Sequence, residues 1–114
     1  MDLDQLRKYC LAKKGTTEET PFGPDTLVYK VMGKIFAITG FEIPTRVNLK
    51  CDPERAVELR EQYDEVLPGY HMNKIHWNTV ICKGRLSDKL IKELIDHSYA
   101  LIAGSLKKSD KEKN

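Results

Sequence analysis

Three runs of β character follow one another between residues 26 and 51 with no helical stretch among them, and this clustering restricts the chain more than any other feature. Residues 26–32 and 34–39 flank a tight turn at Gly33, and residues 45–51 follow a loop through Gly40 and Pro44. Strands this closely joined must pair antiparallel, because a parallel pair needs a crossover of about a dozen residues or more. In the first run Leu27, Tyr29 and Val31 share one face; in the second, Ile35 and Ala37 oppose Lys34, Phe36 and Ile38. The third alternates most cleanly, with Val47 and Leu49 pointing one way and Arg46, Asn48 and Lys50 the other. That run has one buried face and one wet face.

Helical signals bracket this meander. Residues 2–14 place Leu3, Leu6, Cys10 and Leu11 on one face, with Asp2 as cap and Gly15 as terminator. Asp52-Pro53-Glu54 is a strong helix start, carrying a cap, a proline at the first helical position and an acid in the first turn. That helix runs to about Tyr63. Residues 75–82 read as a further strand, with Trp77, Thr79 and Ile81 taken as the core face and His76, Asn78, Val80 and Cys82 as the other. Ser87 caps a long final helix whose stripe is Leu90, Ile91, Leu94, Ile95, Leu101 and Ile102. Between the first helix and the meander, Thr20-Pro21-Phe22-Gly23-Pro24-Asp25 is irregular, although residues 18–22 can form a short edge strand.

The order implies an α+β fold: an antiparallel sheet packed by helices on one face, in a single domain over residues 1–106. Its other face is expected to offer Lys30, Arg46, Asn48, Lys50, His76 and Asn78. Residues 107–114 have no apolar content and are expected to be a basic, disordered tail.

Charge and cysteine usage narrow the function classes. The chain has 19 Lys and Arg against 17 Asp and Glu, a formal net charge of +2. The tail carries that excess and leaves residues 1–106 neutral, which disfavours a protein that grips nucleic acid by bulk charge. Three widely spaced cysteines, Cys10, Cys51 and Cys82, do not make a disulfide framework. Met1-Asp2-Leu3-Asp4 lacks the apolar stretch of a secretory signal, and no apolar run is long enough to span a bilayer. A cytoplasmic monomer is expected.

Catalytic and metal motifs are missing. The sequence has no Gly-rich phosphate loop, no Gly-x-Ser-x-Gly elbow, no Cys-x-x-Cys and no His-x-x-x-His. No catalytic residue, metal or cofactor is expected, and Cys82 with His71, His76 or His97 lacks any spacing that specifies a nucleophile and base. Two denser features remain. Basic residues interleave with aromatics around the later strand, as in proteins that track phosphates. Tyr70-His71-Met72-Asn73-Lys74-Ile75-His76-Trp77-Asn78 concentrates polar and aromatic groups in what reads as a loop.

Several stretches resemble the MmcQ/YjbR family of small bacterial proteins: Glu19-Thr20-Pro21-Phe22-Gly23-Pro24, Tyr29-Lys30-Val31-Met32-Gly33-Lys34-Ile35-Phe36-Ala37, Val47-Asn48-Leu49-Lys50-Cys51-Asp52-Pro53-Glu54, Pro68-Gly69-Tyr70-His71-Met72-Asn73-Lys74, His76-Trp77-Asn78-Thr79-Val80 and Asp96-His97-Ser98-Tyr99. The resemblance spans about Leu6 to Leu106. It implies a CyaY-like, frataxin-type fold and binding of double-stranded DNA through two β-hairpin wings. Frataxin's acidic ridge has no counterpart in the first helix, so iron binding is not implied. On this reading Lys34 and Arg46 lie at the wing tips, Lys30 and Lys50 on the wet face, and Lys74, His76 and Arg85 extend a basic strip to phosphates. The alternative expectation is a small-molecule or protein-partner module using Tyr70, His71, Asn73, Trp77 and Asn78.

Overall fold

The computed structural model describes the backbone of residues 1–69 and 72–113, and side chains within that set as far as Gly104. Helix α1 (Leu3–Leu11) is followed by strands β1 (Thr16–Glu19), β2 (Thr26–Val31), β3 (Lys34–Gly40) and β4 (Arg46–Lys50). Helix α2 (Pro53–Gln62), strands β5 (Val66–Pro68) and β6 (Trp77–Ile81), and helix α3 (Asp88–Lys113) complete the chain. The expected α+β architecture is present. The strands form one sheet in the order β1-β2-β3-β4-β6-β5, and every neighbouring pair is antiparallel.

Local chemistry sets the element ends. Asp2 and Gln5 form a reciprocal capping box on α1, with Asp2 Oδ1 accepting from the Gln5 N–H at 2.9 Å and Gln5 Oε1 from the Asp2 N–H at 2.9 Å. Asp52 accepts from the Arg55 N–H at 3.2 Å, and Pro53 opens α2. The β2–β3 turn holds Met32 and Gly33 at φ 51° and 81°, positive at both positions as a tight right-twisted hairpin requires.

All three helices cover the same face. Leu6 and Cys10 of α1, Ala56 and Leu59 of α2, and Ile91, Leu94, Ile95 and Ile102 of α3 join Leu27, Tyr29, Val31, Val47, Leu49, Val66 and Val80 in one core. A register shift between Tyr29 and Lys30 makes Phe36 an extra residue of β3, so Phe36 and Ala37 are both fully buried. The ring of Phe36 meets Tyr99 edge-on at 5.3 Å. Ser98, wholly buried in α3, stitches the helix to the sheet there: its Oγ accepts from the Lys50 N–H at 2.9 Å and donates to the Phe36 carbonyl at 2.6 Å.

Strand β6 corrects the sequence reading of its faces. Asn78 and Val80 pair with Leu49 and Val47 and therefore face the helices, while Trp77, Thr79 and Ile81 lie on the outer face with Arg46, Asn48 and Lys50. Asn78, only 2% exposed, is tolerated because its polar atoms are used. Its Oδ1 accepts from Arg60 Nη1 at 2.7 Å, and its Nδ2 donates to the Ala56 carbonyl at 3.4 Å. Trp77 is thus not a core residue, and Asn78 is not offered to solvent.

Candidate functional site

The outer face of the sheet is hollowed into a cleft of about 830 Å³. Its floor is Ile38 of β3, Asn48 of β4 and Thr79 of β6, aligned because the register pairs Ile38 with Asn48 and Asn48 with Thr79. Thr79 donates its hydroxyl to Asn48 Oδ1, fixing the amide. Phe22 and Asp25, from the β1–β2 connection, line one side; Met72, from the β5–β6 connection, lines another. Residues from the connections of the two outermost strand pairs therefore line one cleft over the middle strands. Phe22 is 66% exposed, although its ring is among the largest apolar groups in the chain.

Charge enters the cleft from the β3–β4 side. Arg46 Nε lies 3.6 Å from Glu42 Oε2, and both residues line the cleft with Asp25. Among the described lining residues there are two acids and one arginine. Glycine is required nearby at one close approach: a Cβ on Gly69 would fall 2.8 Å from the Trp77 Cβ and 2.9 Å from its carbonyl. The Gly69 N–H instead donates to that carbonyl at 2.9 Å, which sets where the β5–β6 connection leaves the sheet.

The cations expected to form one strip are distributed over two ends of the sheet. Consecutive hairpins of a meander point in opposite directions, so the β2–β3 turn carrying Lys34 and the β3–β4 loop before Arg46 lie about 20 Å apart along β3. Lys30 Nζ pairs with Glu19 at 3.3 Å. Arg85 donates to the Gln62 carbonyl at 3.1 Å and stacks over Tyr63 at 5.9 Å, which commits it to the α2–β5 junction. The remaining three are neighbours along the backbone at the start of β6 without sharing a face: Lys50 pairs in register with Trp77, and the His76 carbonyl, two residues after Lys74, accepts from the Cys51 N–H at 2.8 Å.

The loop set divides as well. Asn73 Oδ1 accepts from the Ile75 and His76 N–H groups at 2.8 and 3.3 Å, so Asn73 shapes the turn into β6. Asn78 belongs to the core and Trp77 to the outer face, while Tyr70 and His71 lie outside the described residues. Sequence reasoning missed Phe22, Asp25, Ile38, Glu42 and Met72 as a group. One signal was readable, an aromatic residue held between two prolines in Pro21-Phe22-Gly23-Pro24.

The three thiols, Cys10, Cys51 and Cys82, are free and buried. Burial pushes Cys82 up to about 11 and Cys10 up to about 12, and Cys51 upward as well. No group of three or more His, Cys, Asp or Glu side chains suited to a metal ion occurs among the described residues. No helix among them is long and apolar enough to cross a membrane.

Comparison with known proteins places this geometry. Over 101 residues the chain is 39% identical to the uncharacterised protein YjbR of Escherichia coli K12, covering 87% of this chain and 85% of that one. It is 38% identical over 95 residues to the uncharacterised protein YbdF of Escherichia coli O157:H7, covering 82% and 77%. The crystal structure of Deinococcus radiodurans protein DR2400, with its DUF419 domain, superposes with a TM-score of 0.83 at 40% identity, covering 89% of this chain and 78% of that one. The YjbR family model matches residues 11–101, and with these relatives it establishes that the chain belongs to the YjbR family.

Proposed function

We propose that this chain is a non-catalytic binding protein, a cytoplasmic monomer, whose ligand is a small organic molecule seated in the cleft on the outer face of the sheet. One observation carries the reading: Phe22 and Met72, from the connections of the two outermost strand pairs, line one cleft whose floor is Ile38, Asn48 and Thr79. A mostly apolar concavity with a few convergent polar groups is what a small-ligand site needs. The three thiols are buried and do not line the cleft, which favours binding there over thiol catalysis.

The test is a fragment titration of the ¹⁵N-labelled chain. Fragments that bind are expected to move the amides of Thr26, Ile38, Gly40 and Asn48 saturably. Phe22→Ala is expected to weaken them about tenfold, the cost of losing one partly buried aromatic wall. Perturbations centred elsewhere, or fragments indifferent to Phe22→Ala, refute the reading.

A double-stranded DNA role draws on a narrower feature, the backbone proximity of Lys50, Lys74 and His76 near the start of β6. So few cations neutralise few phosphates. Each one contributes about −0.9 to the slope of log K against log salt. A duplex titration that returns a slope of about −2 to −3 supports DNA as the partner; no binding at low salt removes it.

A further inference from the structure

The distribution of charge within the cleft points to the class of molecule it takes, and this step rests on the cleft being a ligand site. Two of the oxygens on its rim lie close to Gly40. Arg46 Nε approaches Glu42 at Oε2, 3.6 Å away, and the second carboxylate oxygen of Glu42 is Oε1. That second oxygen stands over Gly40: a Cβ placed there would lie 3.4 Å from Glu42 Oε1 and 3.2 Å from the Asp25 main-chain carbonyl. Gly40 thus leaves open the space where a carboxylate oxygen and a carbonyl oxygen converge, and Asp25 lines the same cleft.

We infer that the occupant is an amphipathic organic cation, a primary ammonium or guanidinium group on an apolar body, with the cationic head over Gly40 and the body against Phe22, Ile38 and Met72. The head is a pure donor, and the two oxygens converging there are pure acceptors, so each contact is a charge-assisted or ion–dipole hydrogen bond. An anion at the same place meets the Glu42 carboxylate and the Asp25 carbonyl, and the one guanidinium of the lining lies 3.6 Å from Glu42. The ring of Phe22 adds to the preference, because an aromatic face attracts a cation within about 6 Å of its centre and repels an anion. Apolar walls at Ile38 and Met72 supply the affinity that a simple inorganic cation does not gain.

Three probes of one shape and different charge test this: phenethylammonium, phenethyl alcohol and 3-phenylpropionate, titrated by NMR into the full-length ¹⁵N-labelled chain. Phenethylammonium is expected to move the amides of Gly40, Glu42 and Asp25, and to bind about tenfold tighter than the alcohol, the weight of one hydrogen bond to a charged group. Phenylpropionate is expected to bind weakest. In the double variant D25N/E42Q the ammonium advantage is expected to vanish and phenylpropionate to improve, because Arg46 is released. Both substituted side chains are exposed, so the fold is retained, which the unchanged amide spectrum away from the cleft checks. Phenylpropionate equal to or tighter than phenethylammonium in the unsubstituted chain overturns the charge assignment while leaving the cleft as a ligand site. Failure of all three to move those amides overturns both.

Discussion

Removing the Ser98 hydroxyl is the sharpest perturbation of the scaffold beneath the cleft. That oxygen is fully buried, and it serves two main-chain groups that the β3–β4 ladder leaves without partners, the Lys50 N–H at 2.9 Å and the Phe36 carbonyl at 2.6 Å. Ser98→Ala leaves both in a place water does not reach. Each buried orphan costs about 1–3 kcal/mol, against which alanine recovers about 0.5 kcal/mol of helix propensity. The net expected loss is about 1.5–5.5 kcal/mol, a large fraction of the 5–15 kcal/mol typical of a domain. Urea unfolding followed by Trp77 fluorescence and far-UV circular dichroism measures it, with an unchanged m-value showing that the midpoint shift is a stability change. Lys50 and Phe36 lie on the strands that form the cleft floor, so their amides are also expected to exchange faster in the variant. A loss below about 0.5 kcal/mol refutes the reasoning, since it means that both main-chain groups find partners without Ser98.

Other expectations follow from named contacts. The Arg7 guanidinium forks onto Glu18 at 2.9 and 3.0 Å and the Tyr29 hydroxyl donates to it at 2.7 Å, holding the Glu18 carboxyl below its ordinary 4.5. Glu18 is more acidic in the folded chain, so its contribution is present above about 4.5 and is lost as pH falls further; Glu18→Gln is expected to flatten the urea midpoint between pH 5 and 2 (both bounds approximate). Met32 occupies a left-handed conformation at φ 51°, which costs an L residue about 1–2 kcal/mol, so Met32→Asn is expected to stabilise the chain by about 0.5–1 kcal/mol in the same assay. Native Cys82, raised to about 11, is expected to react with iodoacetamide about a hundredfold more slowly at neutral pH than in urea; equal rates contradict its burial.

Most of the scaffold was legible because its signals are local. Asp52-Pro53 opens α2 through a cap and a fixed φ, Gly33 turns β2 into β3, and the alternation of residues 46–50 assigns Val47 and Leu49 to the core, all as observed. Strand β6 was not legible in the same way. Trp77-Asn78-Thr79-Val80-Ile81 carries apolar groups on both parities, and what decides between them is distant: Arg60 on α2 and the Ala56 carbonyl satisfy Asn78 and so admit it to the core. Strand β5, three residues long, has no period to detect. The cleft was the least visible feature. Its lining comes from strands and connections that are distant in sequence, and neither Phe22 nor Met72 announces the other. For the same reason the basic residues read as one strip are spread over two ends of a meander.

The central claim is that ligands enter between Phe22 and Met72. The chain carries three methionines, and two of them report on rival sites: Met72 lines the cleft, and Met32 sits at the β2–β3 turn beside Lys34. Methyl-labelled methionine NMR during a phenethylammonium titration separates the two. The account predicts that the Met72 methyl shifts and saturates while Met32 stays in place. Movement of Met32 with Met72 unchanged puts the binding surface on the hairpin turn and contradicts it.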